Sequence, residues 1–555
     1  MFKKSVMTAA LLATGHGAFA QQAPSAGTQL QQIPPAPAPE KAEPEISIER
    51  PTSPGDAVAG GATVRVTALR VTGNNLFAEA DLIAVANITP GSELTLSELR
   101  NAAARISAYY NSRGYFLAQA YLPAQDIGDG AVTIAVVEGR YGKIDVRNRA
   151  NLSSRLTTQV LSGLESGNPV ANAPLERRLL LLSDVPGVRV KSTLAPGEQV
   201  GTSDFIVDIA PGRRVTGSVE ADNAGNRYTG AYRVGGSINL NNPNGIGDLL
   251  TLRLLASEGG LAYGRASYQA PLGSAILGVA YTHLRYQLGR EFERLDADGT
   301  ANIFSAFGSY PLVRSRDANL YALVGADLKL LEDRIGLVSA ESDKQVKVAT
   351  IGFSGDSRDG LGGGGWNSYS AGLSIGNLDI QSPTERAADA LTARSDGGFS
   401  KVQASIARLQ SISGPLSLYA SLRGQIAFDN LDSSEKMALG GAYGVRAYPE
   451  GEAYGDEGYV ATLEARLTLS RWAAALPGQL QLIGFADVGE VKYSDNPWFA
   501  GSNHAARSGF GAGLSWFGPN DLILKASYAR KLGEAATTSG PDKDGRASFH
   551  ISKLF

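Results

Sequence analysis

The last segment of the chain alternates between apolar and polar residues over 548–552 and ends in an aromatic residue. The apolar positions on one side of an extended backbone are Phe549, Ile551 and Phe555. The polar positions on the other side are Ser548, His550 and Ser552. A period of two with one apolar and one polar face is the pattern of a β-strand that lies between two different solvents.

The same alternation recurs through residues 213–555 and predicts sixteen strands. They begin near Arg214, Arg233, Asp248, Gly264, Ala275, Ala301, Asn319, Gln345, Ser368, Phe399, Leu416, Gly458, Gln479, Ser508, Asp521 and Arg546. Strands of about ten residues with an apolar outer face and a polar inner face are typical of an outer-membrane β-barrel. A soluble sandwich also alternates, but its turns rarely permit this many strands in one domain.

The first twenty residues resemble a targeting segment. Lys3 and Lys4 precede an apolar stretch, and Ala18-Phe19-Ala20 provides a small-x-small cleavage site. We therefore expect a signal peptide over residues 1–20 and a mature chain that begins at Gln21. The apolar stretch is too short for a transmembrane helix, so any membrane span must consist of strands.

Residues 21–62 form an N-terminal segment with a proline-rich linker. The linker contains Pro34, Pro35, Pro37 and Pro39, which favour an extended backbone and cannot form a packed core. Residues 21–33 either form a short helix or remain a disordered terminus.

Two small α+β modules are predicted between the linker and the barrel. In residues 63–140, strand patterns cover 64–71, 117–123 and 131–138, and a helix runs from Thr95 to about Arg113, where Gly114 ends it. In residues 141–212, strand patterns cover 142–146, 188–195 and 205–210, and helical patterns cover 154–164 and 174–182.

Composition excludes several functions. The net charge of −3 implies no general attraction to nucleic acid, and the absence of cysteine excludes thiol catalysis. The four histidines are too scattered for a metal site, and the glycine-rich stretch 360–365 lacks the lysine of a phosphate-binding loop. We expect no enzyme activity, no cofactor and no metal.

One candidate site joins a long connection to a wall strand. Residues 429–457 carry Gly444-Val445-Arg446-Ala447-Tyr448, and a later strand carries Phe485-Ala486-Asp487-Val488-Gly489. Asp487 shares a face with Gln481, which indicates that its carboxylate points into the lumen, because a charge facing lipid costs several kcal/mol. Arg446 offers a bidentate partner. From spacing alone, an ion pair and two separately solvated charges both remain open.

These segments resemble a known family. Residues 69–139, with Asn111-Ser112-Arg113-Gly114-Tyr115 and Val137-Glu138-Gly139, are similar to the first polypeptide-transport-associated (POTRA) domain of two-partner secretion transporters, the ShlB/FhaC/HecB hemolysin secretion/activation family. The loop and wall segments resemble the paired motifs of the wider superfamily, in which a luminal loop meets the barrel wall. The matching positions are Val445, Arg446 and Tyr448 in the loop and Phe485, Asp487 and Gly489 in the wall, whereas Ala447 replaces the usual glycine.

The resemblance implies a bacterial outer-membrane transporter whose POTRA domains lie in the periplasm. Its partner would be a hemolysin, adhesin or hemagglutinin-like exoprotein with an N-terminal secretion domain. We expect substrate recognition in the first module, at Leu117, Ala118, Gln119, Ala120, Tyr121 and Leu122. Phe555 resembles the C-terminal signal by which the barrel-assembly machinery inserts such barrels into lipid. In this family the segment before the linker plugs the pore, a role for which residues 21–33 are suitably placed but short.

Three alternative functions remain open from the sequence. A barrel-assembly factor would share the fold. A passive porin would explain the strands but not residues 63–212. A surface enzyme or adhesin on a barrel anchor would require a catalytic constellation or a long passenger, and the sequence shows neither.

Overall fold

The computed structural model describes residues 24–34, 45–48, 63–469 and 477–555. The expected signal peptide, the mature start at Gln21 and most of the proline-rich linker lie outside the described residues.

The α-helices of the described residues belong to the N-terminal part of the chain, apart from one near the rim of the barrel. They are α1 (Ala26–Gln31), α2 (Glu79–Ala86), α3 (Leu96–Ser112), α4 (Ser154–Leu161), α5 (Asn172–Ser183) and α6 (Pro383–Leu391). None of the described helices combines the length and the apolar character that a membrane crossing requires.

The helix predicted from Thr95 is confirmed as α3. Thr95 caps its first turn in a capping box with Glu98, and Gly114 adopts a positive φ of 90° just after its end. Its buried face carries Leu99, Ala103 and Ile106, as the period of 3.6 indicates.

The first module contains more elements than the sequence pattern predicted. Its strands are β2 (Thr63–Arg65), β3 (Ala68–Thr72), β4 (Glu93–Thr95), β5 (Gln119–Tyr121) and β6 (Ala131–Val137), and the main sheet has the order β3-β6-β5. The single strand predicted over 64–71 is wrong, because the backbone changes partners midway. The amide of Val66 donates to Ser92, whereas that of Thr67 donates to Gly130. Helix α2 was missed because Ala78 provides no side-chain cap.

The second module matches its predicted elements and gains one more strand. Strands β7 (Arg140–Asn148), β8 (Val188–Pro196) and β9 (Thr202–Pro211) form a sheet with β1 (Glu45–Ile48) from the linker, in the order β1-β8-β9-β7. Helices α4 and α5 contribute Leu156, Leu175 and Leu179 to a core that also contains Phe205 and Val207.

Within the described residues, sixteen antiparallel strands close into a barrel. Two further short strands, β21 (Met437–Ala438) and β22 (Tyr454–Gly455), pair with each other outside this ring. The wall strands are β10 (Val215–Asp222), β11 (Arg233–Asn241), β12 (Leu249–Ser257), β13 (Ala262–Leu272), β14 (Ala275–Gln287), β15 (Ala297–Arg314), β16 (Ala318–Ile335), β17 (Ala340–Asp359), β18 (Gly365–Ile380), β19 (Gly397–Ser413), β20 (Leu416–Ala427), β23 (Glu457–Thr468), β24 (Gln479–Lys492), β25 (His504–Phe517), β26 (Leu522–Lys531) and β27 (Gly545–Leu554). Each predicted strand is present, in the predicted order.

The two faces of the wall differ as the alternation predicted. On β20, Leu422 and Ile426 are 47% and 55% exposed on the outer surface, whereas Gln425 points inward and is 3% exposed. Pairing of β10 with β27 closes the ladder, so the wall strands form one continuous ring. A closed ladder satisfies the backbone polar groups that lipid cannot.

The second module is docked on one rim of the barrel. Arg314, at the end of β15, makes a bidentate ion pair with Asp184 at distances of 2.7 and 2.8 Å. Arg177 of α5 donates to the carbonyl oxygens of Pro311 and Leu312 on the same strand. This rim of the barrel therefore faces the modules.

Candidate functional site: the barrel lumen

A long loop, residues 428–456, folds back into the barrel. We call it the luminal loop. It packs against inward-facing wall residues such as Val460 and Phe485, and its own Val445 and Tyr448 are 0% and 1% exposed. The loop therefore occupies the lumen instead of extending into solvent.

The loop is held to the wall by the predicted pair of charges. Arg446 donates from Nε and Nη2 to the two carboxylate oxygens of Asp487, each at 2.8 Å. The backbone amide of Arg446 and the hydroxyl of Thr462 donate to the same carboxylate, at 3.2 and 2.9 Å. Asp487 is 2% exposed, so these donors replace the water that would otherwise stabilise its carboxylate. The sequence left two alternatives open, and the structure has the ion pair.

Arg446 has further partners on the wall. Its Nη1 donates to Glu464 at 2.8 Å, and Glu464 also accepts from Arg466. The guanidinium carbon of Arg446 lies 3.5 Å from the ring centroid of Phe485, a cation–π contact. The wall motif thus supplies both a counter-charge and an aromatic platform.

Glycine in the wall motif makes room for the loop. A β-carbon at Gly489 would lie 2.7 Å from the Leu439 side chain and 2.7 Å from the Tyr459 carbonyl oxygen. A β-carbon at Gly509, on the next strand, would lie 2.5 Å from the methyl group of Ala447. Ala447 does not adopt a positive φ, so its replacement of the usual glycine produces no backbone strain. Sequence reasoning missed Gly509.

Tyr448 and Glu452 anchor the far half of the loop. The Tyr448 hydroxyl donates to the carbonyl of Ala535 at 3.2 Å, and its ring lies 5.2 Å from the guanidinium of Arg507. Nε and Nη2 of Arg507 both donate to Oε1 of Glu452, which is 0% exposed, at 2.9 and 2.6 Å.

A second set of ion pairs holds the near half of the loop, and the sequence analysis did not identify it. Glu435 lies between Lys329 and Lys401, at 2.5 and 2.9 Å, and Asp432 pairs with Lys344 at 3.2 Å. The three lysines project inward from β16, β17 and β19. Lysines on the luminal face of predicted strands, opposite an acidic loop, were the signal that could have revealed it.

Helix α1 lies inside the barrel, between the wall and the luminal loop. The amide of Ala26 donates to Asp333 on the wall at 2.8 Å, and Gln31 donates to the carbonyl of Ser434 in the loop at 2.5 Å. Gln32 donates to the hydroxyl of Tyr454 and accepts from Arg233. Of the two alternatives for residues 21–33, the helix is present, over Ala26–Gln31.

The six residues expected to recognise substrate do not form one exposed surface. Leu117 packs against the core of the second module, and Ala118 is 2% exposed in the core of the first. Gln119 to Tyr121 form the edge strand β5, and Ala120 and Leu122 pack partly into the module core, whereas Tyr121 is 49% exposed. Leu117 and Ala118 therefore contribute to the two module cores, and substrate recognition by residues 117–122 stays a prediction.

Phe555 lies directly after the last wall strand. Its backbone exchanges hydrogen bonds with Gly217 on β10, at 3.0 and 3.1 Å, and its side chain is 46% exposed. The terminal residue thus takes part in closing the barrel while its ring stays accessible.

Two family models match the chain. The model of the haemolysin secretion/activation protein ShlB/FhaC/HecB matches residues 201–516, and that of the ShlB-type POTRA domain matches residues 64–139. The chain belongs to this family. The transporter is therefore an outer-membrane barrel with periplasmic POTRA domains that secretes an exoprotein, as the resemblance predicted.

Relatives and solved structures agree with this assignment. The transporter is 29% identical to the heme/hemopexin transporter protein HuxB of Haemophilus influenzae (strain 86-028NP), over 80% of this chain and 79% of that protein. It is 25% identical to the outer membrane transporter CdiB of Dickeya dadantii (strain 3937), over 70% and 69%. The structure of CdiB from Escherichia coli superimposes with a TM-score of 0.70 at 20% identity, covering 91% of this chain and 93% of that one.

Proposed function

We propose that the transporter recognises the N-terminal secretion domain of an unfolded exoprotein in the periplasm and passes the chain through its lumen after α1 and the luminal loop have moved. The observation that carries the proposal is that both segments occupy the lumen and are held there by buried ion pairs and hydrogen bonds in addition to apolar packing. The polar contacts can be exchanged for water when the segments leave, which reduces the free-energy difference between a closed state and an open state.

The pair Arg446–Asp487 is the proposed lock of the luminal loop. Breaking a buried pair by removing one partner costs about 3–5 kcal/mol, because a charge is left without compensation. We infer that the pair fixes the position of the loop within the lumen, with Phe485, Gly489, Val445 and Tyr448 shaping its seat. Folding of the exoprotein outside the cell would drive export.

The exported partner is proposed to be a hemolysin, adhesin or hemagglutinin-like protein. The similarity to HuxB makes a hemopexin-binding exoprotein the first candidate to test. Proposed further partners are the lipid around the apolar outer face and, during biogenesis, the barrel-assembly machinery that would read Phe555. The proposed domain boundaries are residues 1–20, 21–62, 63–140, 141–212 and 213–555.

The test is secretion of a candidate exoprotein, for which the adjacent reading frame is the first place to search. Both genes are expressed together and the exoprotein is measured in the medium by immunoblot, with the transporter gene deleted as the control. We expect secretion only with the transporter. Unchanged secretion in the deletion strain contradicts the proposal. A large, steady conductance of the wild-type protein in planar bilayers favours a porin, and loss of other outer-membrane barrels in the deletion strain favours an assembly factor.

A further inference from the structure

The outer edge of strand β8 in the second module is paired with a segment that comes from outside the module. Strand β1 pairs with it in parallel, with Glu45 opposite Lys191 and Ile48 opposite Leu194. The hydroxyl of Ser47 lies 3.0 Å from that of Thr193. Strand β1 comes from the linker that follows α1, so this edge is covered by a segment that belongs to neither module.

The sheet of the first module is closed at both edges by the module itself. On β5, the amide of Ala120 donates to the hydroxyl of Ser107 on α3, at 2.8 Å. On β3, the amide of Val71 donates to the carboxylate of Glu79 on α2, at 2.9 Å. An incoming strand would have to displace these side chains before it could pair with either edge.

The opposite edge of the second sheet is also closed from within. On β7, the amide of Tyr141 donates to the carbonyl of Asn168 at 2.9 Å, and the amide of Gly167 donates to the carbonyl of Tyr141 at 2.7 Å. Gly167 and Asn168 belong to the connection between α4 and α5. The edge of β8 therefore differs from the other three in being covered by a segment that can leave without unfolding a module.

We propose that the outer edge of β8 is a strand-acceptor site for an extended segment of the exoprotein, and that β1 occupies this site as a placeholder until the exoprotein displaces it. This inference rests on the proposed function. Main-chain hydrogen bonds give such strand addition its affinity and alternate side chains give it specificity. The geometry of β1 indicates a segment that runs parallel to β8, with a small hydroxyl residue beside Thr193 and an apolar residue beside Leu194.

The lengths of the two strands favour exchange. Strand β8 runs from Val188 to Pro196, but β1 pairs only with Lys191 to Leu194. A longer incoming segment can pair with more of β8 than the placeholder does. The tether keeps β1 at a high effective concentration beside β8, so the incoming segment must gain enough free energy of pairing to exceed this advantage. The additional hydrogen bonds of a longer ladder provide that free energy.

Displacement of β1 from β8 would also affect α1, the helix that occupies the lumen. The last luminal residue described, Pro34, is connected to Glu45 by residues 35–44 alone. This connection spans at most about 3.5 Å per residue. Release of β1 therefore lengthens the connection between Pro34 and the next paired strand from residues 35–44 to residues 35–62, which gives α1 more freedom to leave the lumen.

The experiment locks the placeholder with a disulfide in the full-length protein. The chain contains no cysteine, so Ser47→Cys with Thr193→Cys introduces the sole pair. Neighbouring strands lie about 4.8 Å apart, within the range of about 4.4–6.8 Å between the α-carbons of a disulfide. The matched control is Thr193→Cys with Ile206→Cys, which joins β8 to β9 and leaves β1 free.

Two quantities are measured before and after reduction with dithiothreitol. One is secretion of the exoprotein used in the secretion test of the proposed function. The other is binding of its urea-unfolded N-terminal secretion domain to the purified transporter. We expect both to fall about tenfold or more in the oxidised Ser47–Thr193 variant, to recover on reduction, and to remain at the wild-type level in the control.

Retained binding with lost secretion overturns the acceptor site, because the disulfide then acts only by holding the plug. Retained binding and secretion in the oxidised variant overturn the inference altogether. Both results leave the proposed function intact, which fails instead if the wild-type transporter does not secrete the exoprotein.

Discussion

Arg446 and Asp487 form a two-pronged ion pair inside the barrel, with both nitrogen–oxygen distances at 2.8 Å. One partner comes from a loop and the other from the wall, and forty residues separate them along the chain. A planar guanidinium facing a carboxylate fixes orientation as well as distance. The pair therefore sets how the luminal loop lies in the lumen.

Replacing either partner of this pair should impair secretion without unfolding the barrel. We expect Asp487→Ala, Arg446→Ala and the charge reversal Asp487→Lys to lower secretion by about tenfold or more, because each leaves a buried charge without its partner. Secretion is measured by immunoblot of the medium, and folding by the heat-modifiable migration of the barrel in gels. Asp359→Asn is the control, since Asp359 pairs with Arg408 at an exposed position. Unchanged secretion in both alanine variants would disprove the role of the pair.

The acidic stretch of the loop gives a second prediction. Glu435 is buried between two wall lysines, and the neighbouring Ser434 accepts a hydrogen bond from α1. Glu435→Gln should therefore loosen the loop and the plug together and raise the frequency of pore opening several-fold. Single-channel recording in planar bilayers measures the frequency of opening. The control is Glu332→Gln, because Glu332 lies on β16, the strand that carries Lys329, and is exposed. Equal opening frequencies in both variants contradict the prediction.

Two glycines of one wall strand provide a matched pair of variants. Gly489→Ala places a methyl group against Leu439 of the loop, whereas a β-carbon at Gly484 meets nothing within 4 Å. We expect Gly489→Ala to displace the loop and reduce secretion, and Gly484→Ala to behave as wild type. Trypsin digestion of the intact protein adds a direct readout, because a displaced loop exposes Arg446 to cleavage. Identical digestion of the two variants would rule out the steric role of Gly489.

The capping box of α3 predicts a local change in stability that depends on pH. Thr95→Ala removes the cap, so the first turn of α3 should exchange its amide hydrogens about fivefold faster at pH 7. The backbone and side-chain hydrogen bonds from Thr95 hold the pKa of Glu98 below 4.5. A depressed pKa means that the stabilisation is complete above pH 4.5 and is lost as the pH falls through the lowered value.

Hydrogen exchange by mass spectrometry, corrected for intrinsic rates at each pH, checks both statements. The difference between wild type and Thr95→Ala should shrink as the pH falls through the lowered pKa of Glu98. Ser112→Ala, at the opposite end of α3, is the control for the first turn. A difference that is independent of pH would contradict the role of Glu98.

The wall strands were predictable because the membrane imposes one rule on all of them. Each strand must pair on both sides and must separate lipid from water, so Leu418, Leu422 and Ile426 alternate with polar residues regardless of their distant neighbours. The starts of the strands were predicted less well where the ladder continues beyond the apolar belt. Strand β17 begins at Ala340, five residues before the predicted Gln345, because Glu341 and Arg334 still pair across the ladder.

Long-range contacts could not be predicted in the same way. The grip of Lys329 and Lys401 on Glu435 depends on how the loop folds back, which no local pattern encodes. Strand β1 was not predicted either, since a tetrapeptide next to prolines carries little signal and its partner lies about 145 residues away. The pair Arg446–Asp487 could be proposed because the resemblance linked two motifs that spacing alone left independent.

The even number of described wall strands also determines on which rim each segment lies. An even number returns the chain to the rim where it entered, so both ends of the wall face the POTRA modules, whereas the luminal loop hangs from the opposite rim. A chain that enters from the side of the modules therefore meets the inserted part of the luminal loop before it reaches the rim from which that loop hangs.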